Sequence, residues 1–287
     1  MTLAQALVRA ATLGLSRLDA QLLLLHVLGR GSHERAWLLA HDDEALAEAQ
    51  AQAFDALCRR RLAGEPVAYL VGEKEFFGLP LAVDARVLVP RPDTEVLVEW
   101  ALECLDARAD GAARPAHVID LGTGSGAIAL ALKHRHPEAR VEAVDRSPGA
   151  LEVAAANARQ LGLEVAFREA SWLDGAGTGH DLIVSNPPYI AEGDPHLPVL
   201  AHEPRSALAA GADGLDDLRQ IVARAPAHLA PGGWLLLEHG WDQAAAVRAL
   251  LSAAGFADVA SRQDLAGIER CSGGRWPGPA HGLVERG

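Results

Sequence analysis

Residues 117–145 constrain the fold of this chain more than any other stretch. His117-Val118-Ile119-Asp120-Leu121 reads as a short apolar strand, Gly122-Thr123-Gly124-Ser125-Gly126 as a tight turn, and Ala127-Ile128-Ala129-Leu130 as the start of a helix. About 20 residues on, Arg140-Val141-Glu142-Ala143-Val144-Asp145 reads as a second strand ending in an acid. That is the nucleoside-binding half of a doubly wound α/β sheet, with Asp145 placed to accept hydrogen bonds from a ribose diol. A turn needing φ > 0 accounts for one glycine but hardly for three in alternation.

The spacing narrows the ligand. A dinucleotide fingerprint spaces its glycines G-x-G-x-x-G so that a pyrophosphate sits on the helix N-terminus. Here the spacing is G-x-G-x-G. Asp120 adds a carboxylate beside the loop, which repels a pyrophosphate but suits the amino group and sulfonium of S-adenosylmethionine. The expected cofactor-binding residues are Asp120, Gly122, Thr123, Gly124, Ser125, Gly126 and Asp145. Ser171-Trp172 follows the third strand at the cofactor edge, where Trp172 either borders the adenine or is a core tryptophan.

A second constellation is Asn186-Pro187-Pro188-Tyr189, at the end of the apolar run Asp181-Leu182-Ile183-Val184-Ser185. Two prolines stop that strand and lock φ, and Pro188 holds 187 extended. The Asn186 side-chain oxygen and the Pro187 carbonyl are left as fixed acceptors, with Tyr189 as a flat face beside them. Such a set suits a planar NH2 group, either an amide or the exocyclic amine of a base. Asn186, Pro187, Pro188 and Tyr189 are the expected substrate-binding residues. Asn186, Pro187 and Tyr189 are the expected catalytic ones, and Asn186 also reaches the methionine part of the cofactor. The glycine loop, Asp145 and this motif together point to a methyltransferase.

At these residues the chain resembles protein-(glutamine-N5) methyltransferases of the bacterial release-factor type. The likeness also runs through Tyr69-Leu70-Val71-Gly72, Glu75-Phe76-Phe77-Gly78-Leu79, Val89-Pro90-Arg91-Pro92-Asp93-Thr94-Glu95, Glu203-Pro204-Arg205 and Leu237-Glu238-His239-Gly240. It implies a class I S-adenosylmethionine-dependent fold, with S-adenosylhomocysteine as product. The implied partner is a class I peptide release factor, methylated on the glutamine of its Gly-Gly-Gln segment. A related subgroup methylates a ribosomal protein and carries Ser-Pro after Val-Pro-Arg. The Pro92-Asp93-Thr94-Glu95 found here favours the release-factor type. An acid often stands at this position in relatives, where the chain has Ser171. Methylation of a base amine is the remaining alternative inside the enzyme class. A silent cofactor-binding adaptor is the alternative outside it, and the intact Asn186 and Tyr189 oppose that.

The rest of the chain divides into an N-terminal helical module at 1–72 expected to dock the substrate, a β-hairpin linker at 73–92, and a methyltransferase domain at 93–287. In the first, Ser16 and Asp19 resemble a capping box, and Leu22-Leu23-Leu24-Leu25 is too continuous for a surface helix. A long helix is expected from about Asp42 to Leu62. The hairpin is expected at 75–90, with Phe76-Phe77 and Val87-Leu88-Val89 as its apolar halves. Helices are expected at 125–136, 148–162, 215–230 and 243–254. Strands are expected at 117–121, 140–145, 165–169, 181–185, 233–239, 256–263 and near 269–276, the last antiparallel by resemblance. Gly111–Pro115 read as a loop, and Leu283–Gly287 as a disordered tail.

Composition excludes some functions. Formal charge is −12, without a basic stripe carrying interleaved aromatics, so direct nucleic-acid binding is not expected. Arg59-Arg60-Arg61 is the dense basic run, at an expected helix end. No membrane span or signal peptide is legible. Cys58, Cys104 and Cys271 are far apart and odd in number, which fits reduced thiols of a cytoplasmic protein. No metal is expected, because His134 and His136 read as solvated or capping residues.

Overall fold

The structure, a computed structural model, describes residues 1–109 and 114–279. The expected tail at 283–287, and residues 111–113 of the expected loop, lie outside the described residues. Contacts divide the chain into two units, Met1–Glu73 with Val83–Ala85, and Lys74–Ala82 with Arg86–Gly287.

The first unit contains α1 (Leu3–Thr12), α2 (Arg17–Val27), α3 (Arg35–Ala40), α4 (Glu48–Leu62) and α5 (Val67–Val71). Ser16 Oγ accepts from the Asp19 amide at 3.0 Å, which starts α2. The Asp19 carboxylate does not close the expected box. It pairs with Arg61 at 2.8 Å instead. Leu23, Leu24 and Leu25 are fully buried, and α2 touches the other four helices. The continuous leucine run thus marks the central helix. The long helix begins at Glu48, not Asp42. Backbone pairing with the chain start pulls 42–46 off helical geometry: Leu3 N bonds Glu44 O, Ala4 N bonds Asp42 O, and Leu46 N bonds Met1 O. In the basic run, Arg60 pairs with Glu65, and Arg59 is exposed.

The hairpin is tighter than expected. Its strands are β1 (Glu73–Phe76) and β2 (Leu79–Ala82), joined by Phe77-Gly78 at φ 51° and 80°. A two-residue turn with positive φ at both positions matches the twist of the strands it joins. Val87-Leu88-Val89 is therefore not the return strand. The Val89 amide is claimed instead by the Glu203 carboxylate at 3.1 Å.

Beyond the hairpin, the described residues of the second unit form one sheet from β3 (His117–Leu121), β4 (Arg140–Asp145), β5 (Ala166–Glu169), β6 (His180–Ser185), β7 (Leu229–Glu238), β8 (Ala257–Gln263) and β9 (Glu269–Arg275). The strand order is β5-β4-β3-β6-β7-β9-β8. β3 to β7 pair in parallel, and β9 lies antiparallel between β7 and β8. The helices are α6 (Glu95–Ala109), α7 (Ala127–Arg135), α8 (Pro148–Leu161), α9 (Asp216–Arg224) and α10 (Ala244–Ala253). Side chains alternate across the sheet. Val118, Leu182 and Leu236 pack with Leu97 of α6 and Leu130 of α7. Ile119, Ile183 and Leu235 pack with Ile221 of α9 and Val247 of α10. Both faces are covered, so the strands read as unbroken apolar runs.

α9 ends before the expected 230. Pro226 sits in a 3₁₀ turn at Ala225–Ala227, and β7 begins at Leu229, paired with His180. A proline cannot donate to a continuing helix. The strand order reverses at β3 and β6. In open α/β sheets the crevice at the carboxyl ends of such strands is where ligands bind. The glycine loop leaves β3 there, and Asn186–Tyr189 leave β6 beside it.

Candidate active site

Two adjoining pockets occupy this crevice. The first is lined by Gly122, Gly124, Asp145, Trp172, Asn186 and Pro188, with Leu88 and Ala207 across from them. The second is lined by Arg91, Asn186, Tyr189 and Leu200, and shares Leu88 and Ala207. Asn186 borders both.

The glycine loop is held by its own backbone. Gly122 N and Thr123 N donate to Val144 O at 2.8 and 2.9 Å. Asp145 Oδ2 accepts from Gly124 N and Oδ1 from Ser147 N, each at 2.9 Å. A carboxylate has about four acceptor positions, so Asp145 keeps capacity for two hydroxyls. Gly122 adopts φ +72, and a Cβ there would lie 3.1 Å from Trp172 Cζ3. Trp172, itself at φ +50, therefore walls the first pocket and packs on the core as well.

Asp120 is placed differently from Gly122, Gly124, Asp145, Trp172 and Asn186, which line the first pocket. It is fully buried and does not line either pocket. Oδ2 accepts from the Thr123 hydroxyl at 2.6 Å and the Ala129 amide at 3.2 Å, fastening the loop to α7. Oδ1 is buried without a partner. Burial pushes this carboxyl up to about 7, partly offset by Thr123 and Ala129. Thr123, Ser125 and Gly126 are likewise buried beneath the loop and do not face the pocket.

At the end of β6, Ser185 Oγ donates to Leu121 O at 2.7 Å, locking the two strand ends together. Asn186 Nδ2 donates to Thr94 Oγ1 at 3.2 Å. The Asn186 amide nitrogen is thereby committed to Thr94, and the residue borders both pockets. The Tyr189 hydroxyl donates to Glu238 Oε1 at 3.3 Å, and its phenol is raised by burial and by Glu238. Gln243 Nε2 donates to Tyr189 O at 3.0 Å. Gly214 backs this loop at φ +73, where a Cβ would meet Tyr189 O at 2.2 Å. Gly214→Ala should therefore displace the motif and lower stability by about 1–3 kcal/mol. Urea denaturation checks this, and an unchanged midpoint would refute the close packing.

Several contributors were not assigned from sequence. Glu203 is buried; it takes Arg91 Nη2 on Oε1 and the Val89 amide on Oε2. It ties 89–91 to the 203–207 segment, and both segments wall the pockets. Both stretches were visible as motifs. Their pairing across 112 positions was not. Thr94 and Glu238 were visible in the same way, without their link to Asn186 and Tyr189.

Among the described residues one His/Glu cluster has metal-ligand chemistry: His117, Glu142 and His180, at the opposite end of the sheet. The two imidazoles are stacked at 4.1 Å and 27°, so their in-plane lone pairs run side by side instead of converging. His117 Nε2 is spent on Glu142 at 2.7 Å.

Residues 1–72 match the PrmC N-terminal domain, and residues 99–204 match the methyltransferase small domain. A release factor glutamine methyltransferase of Xylella fastidiosa is 52% identical, covering 95% of this chain and 98% of that one. Its counterpart in Burkholderia pseudomallei is 52% identical, over 96% of each chain. The Escherichia coli counterpart is 44% identical, over 91% and 92%. Among solved structures, a Pyrococcus furiosus methyltransferase superposes with TM-score 0.52 at 19% identity, over 77% of this chain and 98% of that chain. The N-terminal domain of human METTL16, solved with S-adenosylhomocysteine, gives 0.52 at 16%, over 70% and 76%. These two show the fold alone. The relatives match the chain nearly end to end, and the chain belongs to the release factor glutamine methyltransferase family.

Proposed function

We propose that the chain transfers a methyl group from S-adenosylmethionine to the side-chain amide nitrogen of the glutamine in the Gly-Gly-Gln segment of class I release factors. The observation that carries this reading is Asn186 standing between two pockets, one with the ribose-type acid Asp145 and one with Tyr189. The open space over Gly124, the pocket-lining Gly122 and the acid Asp145 with acceptor capacity to spare fit a nucleoside. When bound, the cofactor supplies an electrophilic methyl on a sulfonium.

An amide nitrogen is a poor nucleophile because its lone pair is delocalised into the carbonyl. Asn186 Oδ1 and the Pro187 carbonyl accept its two N–H protons, hold it in line, and stabilise positive charge as it develops. Preorganised acceptors act most strongly where water is excluded. Tyr189 packs on the amide plane, its ring steadied by Glu238 and its backbone by Gln243. Positioning at near-attack distance then supplies much of the rate. The set requires no covalent nucleophile.

Labelled S-adenosylmethionine, offered with release factor, ribosomal proteins, DNA and RNA, tests the reading. Label should enter release factor. Label in a ribosomal protein or a base instead would overturn it.

The helical unit at 1–72 is proposed to dock the protein substrate, as its separate family match supports. A chain beginning near Glu73 should keep cofactor affinity yet methylate release factor poorly at low substrate concentration. Equal kcat/KM for the short and full chains would rule docking out. Among the described residues no helix is long and apolar enough to cross a membrane. A cytoplasmic setting and freedom from nucleic acid are proposed with this substrate.

A further inference from the structure

Asn186 divides the carboxyl edge of the sheet into two halves. On one side, the glycine loop after β3 and Asp145 at the end of β4 line the first pocket. On the other, the loop after β6, the turn after β7 and the turn joining β8 to β9 follow one another along the rim, in the strand order β6-β7-β9-β8. β9 runs antiparallel to β7 with Cys271 opposite Glu238, so the β8–β9 turn lies at this same end.

Among the described residues of the second unit, the large apolar side chains that stand exposed are Val199, Trp241 and Leu265. Each belongs to one of these three loops. Val199 is 77% exposed, Trp241 70%, and Leu265 fully. Single exposed apolar residues are ordinary on a protein surface. Three on successive loops of one rim, with none on the described remainder of the unit, mark a surface where a partner is met.

The loops that carry them are held by their own bonds. Ile190 N donates to Leu208 O at 2.9 Å and Ala210 N to Ile190 O at 3.0 Å, closing the neck of the loop that bears Val199. The next residue, Leu200, lines the second pocket. Beside Trp241, Gly240 N donates to Gln243 Oε1 at 2.8 Å, and Gln243 Nε2 donates to Tyr189 O. The turn bearing the indole is thus set by the glutamine that braces the Asn186–Tyr189 motif. Beside Leu265, Asp264 Oδ1 accepts from the Ala266 and Ile268 amides at 2.9 and 3.0 Å, and Oδ2 from Arg270 Nε at 2.9 Å. Tips presented on ordered backbone lose little entropy on contact.

We propose that Val199, Trp241 and Leu265 form the surface by which the methyltransferase unit holds the body of its protein substrate, with Trp241 as the anchor. The inference rests on the reading of the site as one that takes a glutamine from a release factor. A glutamine whose side chain enters the second pocket brings its own protein over the adjoining rim. With the cofactor in the first pocket, the side left to receive that protein is the one over β6 to β8. Apolar tips suit a protein surface and not a phosphate backbone. The matching feature on the partner is an apolar patch beside its glutamine loop.

The experiment compares kcat and KM for release factor between the full wild-type chain and surface variants. Trp241→Ala should raise KM about 10-fold or more, with kcat and cofactor affinity kept. Trp241→Phe, which retains an aromatic ring, should recover most of that loss. Leu265→Ser and Val199→Ser should each raise KM less, and their double variant should approach Trp241→Ala. Thermal unfolding checks the fold, and the double variant decides the matter if Trp241→Ala is unstable. Unchanged KM in Trp241→Ala and in the double variant, or a loss confined to kcat, would overturn the proposal. A wild-type dimer that Trp241→Ala dissociates with KM unchanged would assign the surface to a second copy of the chain and overturn it as well. A wild-type protein that leaves release factor unlabelled would overturn the functional reading and this inference together. Labelled release factor with unchanged KM in the variants would overturn this inference alone.

Discussion

Asn186→Ala should lower kcat by about 100-fold or more, while cofactor affinity changes far less. The reason is that Asn186 Oδ1 grips the amide more strongly as positive charge develops on nitrogen. Such an interaction appears in turnover and not in ground-state binding. The structure strengthens the expectation, because Nδ2 is already committed to Thr94 at 3.2 Å and the oxygen is the atom left to act. Pro187 and Pro188 are buried, so the backbone carrying the second acceptor should stay in place when the side chain is cut. Asn186→Asp keeps an acceptor, and some activity should survive. Its added charge beside a sulfonium also stabilises the ground state, so it should fall short of wild type. Single-turnover methylation of release factor, measured beside cofactor binding, separates the two effects. Near-normal turnover in Asn186→Ala would reduce Asn186 to a turn residue and end the amide-gripping mechanism.

Asp145→Ala should weaken S-adenosylmethionine on the order of 10- to 100-fold, since hydrogen bonds to a charged group contribute roughly 1.5–3 kcal/mol. The loss has two sources. One is the ribose contact proposed for the carboxylate. The other is the loop itself, because Asp145 holds both Gly124 and Ser147 by their amides. The fold should survive, as β4 is paired on both sides by backbone ladders that do not need this side chain. Isothermal calorimetry gives the affinity, and thermal unfolding checks the fold. Unchanged affinity would mean the cofactor lies elsewhere in the crevice.

Much of this molecule was legible in its sequence. Short apolar runs and glycine punctuation placed β3, β4 and β6 to within a residue, because parallel strands covered on both faces must be apolar throughout. The glycine alternation and the proline pair marked the two loops that meet at the reversal of strand order. Local signals also placed the central helix, where four successive leucines have no polar face to show. What stayed hidden depends on distant pairing. Residues 42–46 look helical by themselves and are drawn off by the backbone of Met1–Ala4. Val87–Val89 look like a strand and are taken by Glu203. Asp120 reads as a cofactor residue, and only the fold shows it fully buried with Oδ2 held by Thr123 and the first turn of α7. The bond from Asn186 to Thr94 joins two segments 92 positions apart that share no local pattern. Secondary structure follows from the spacing of apolar residues along the chain. The direction of a hydrogen bond depends on which donor and acceptor the folded sheet brings face to face, and only the tertiary structure decides that.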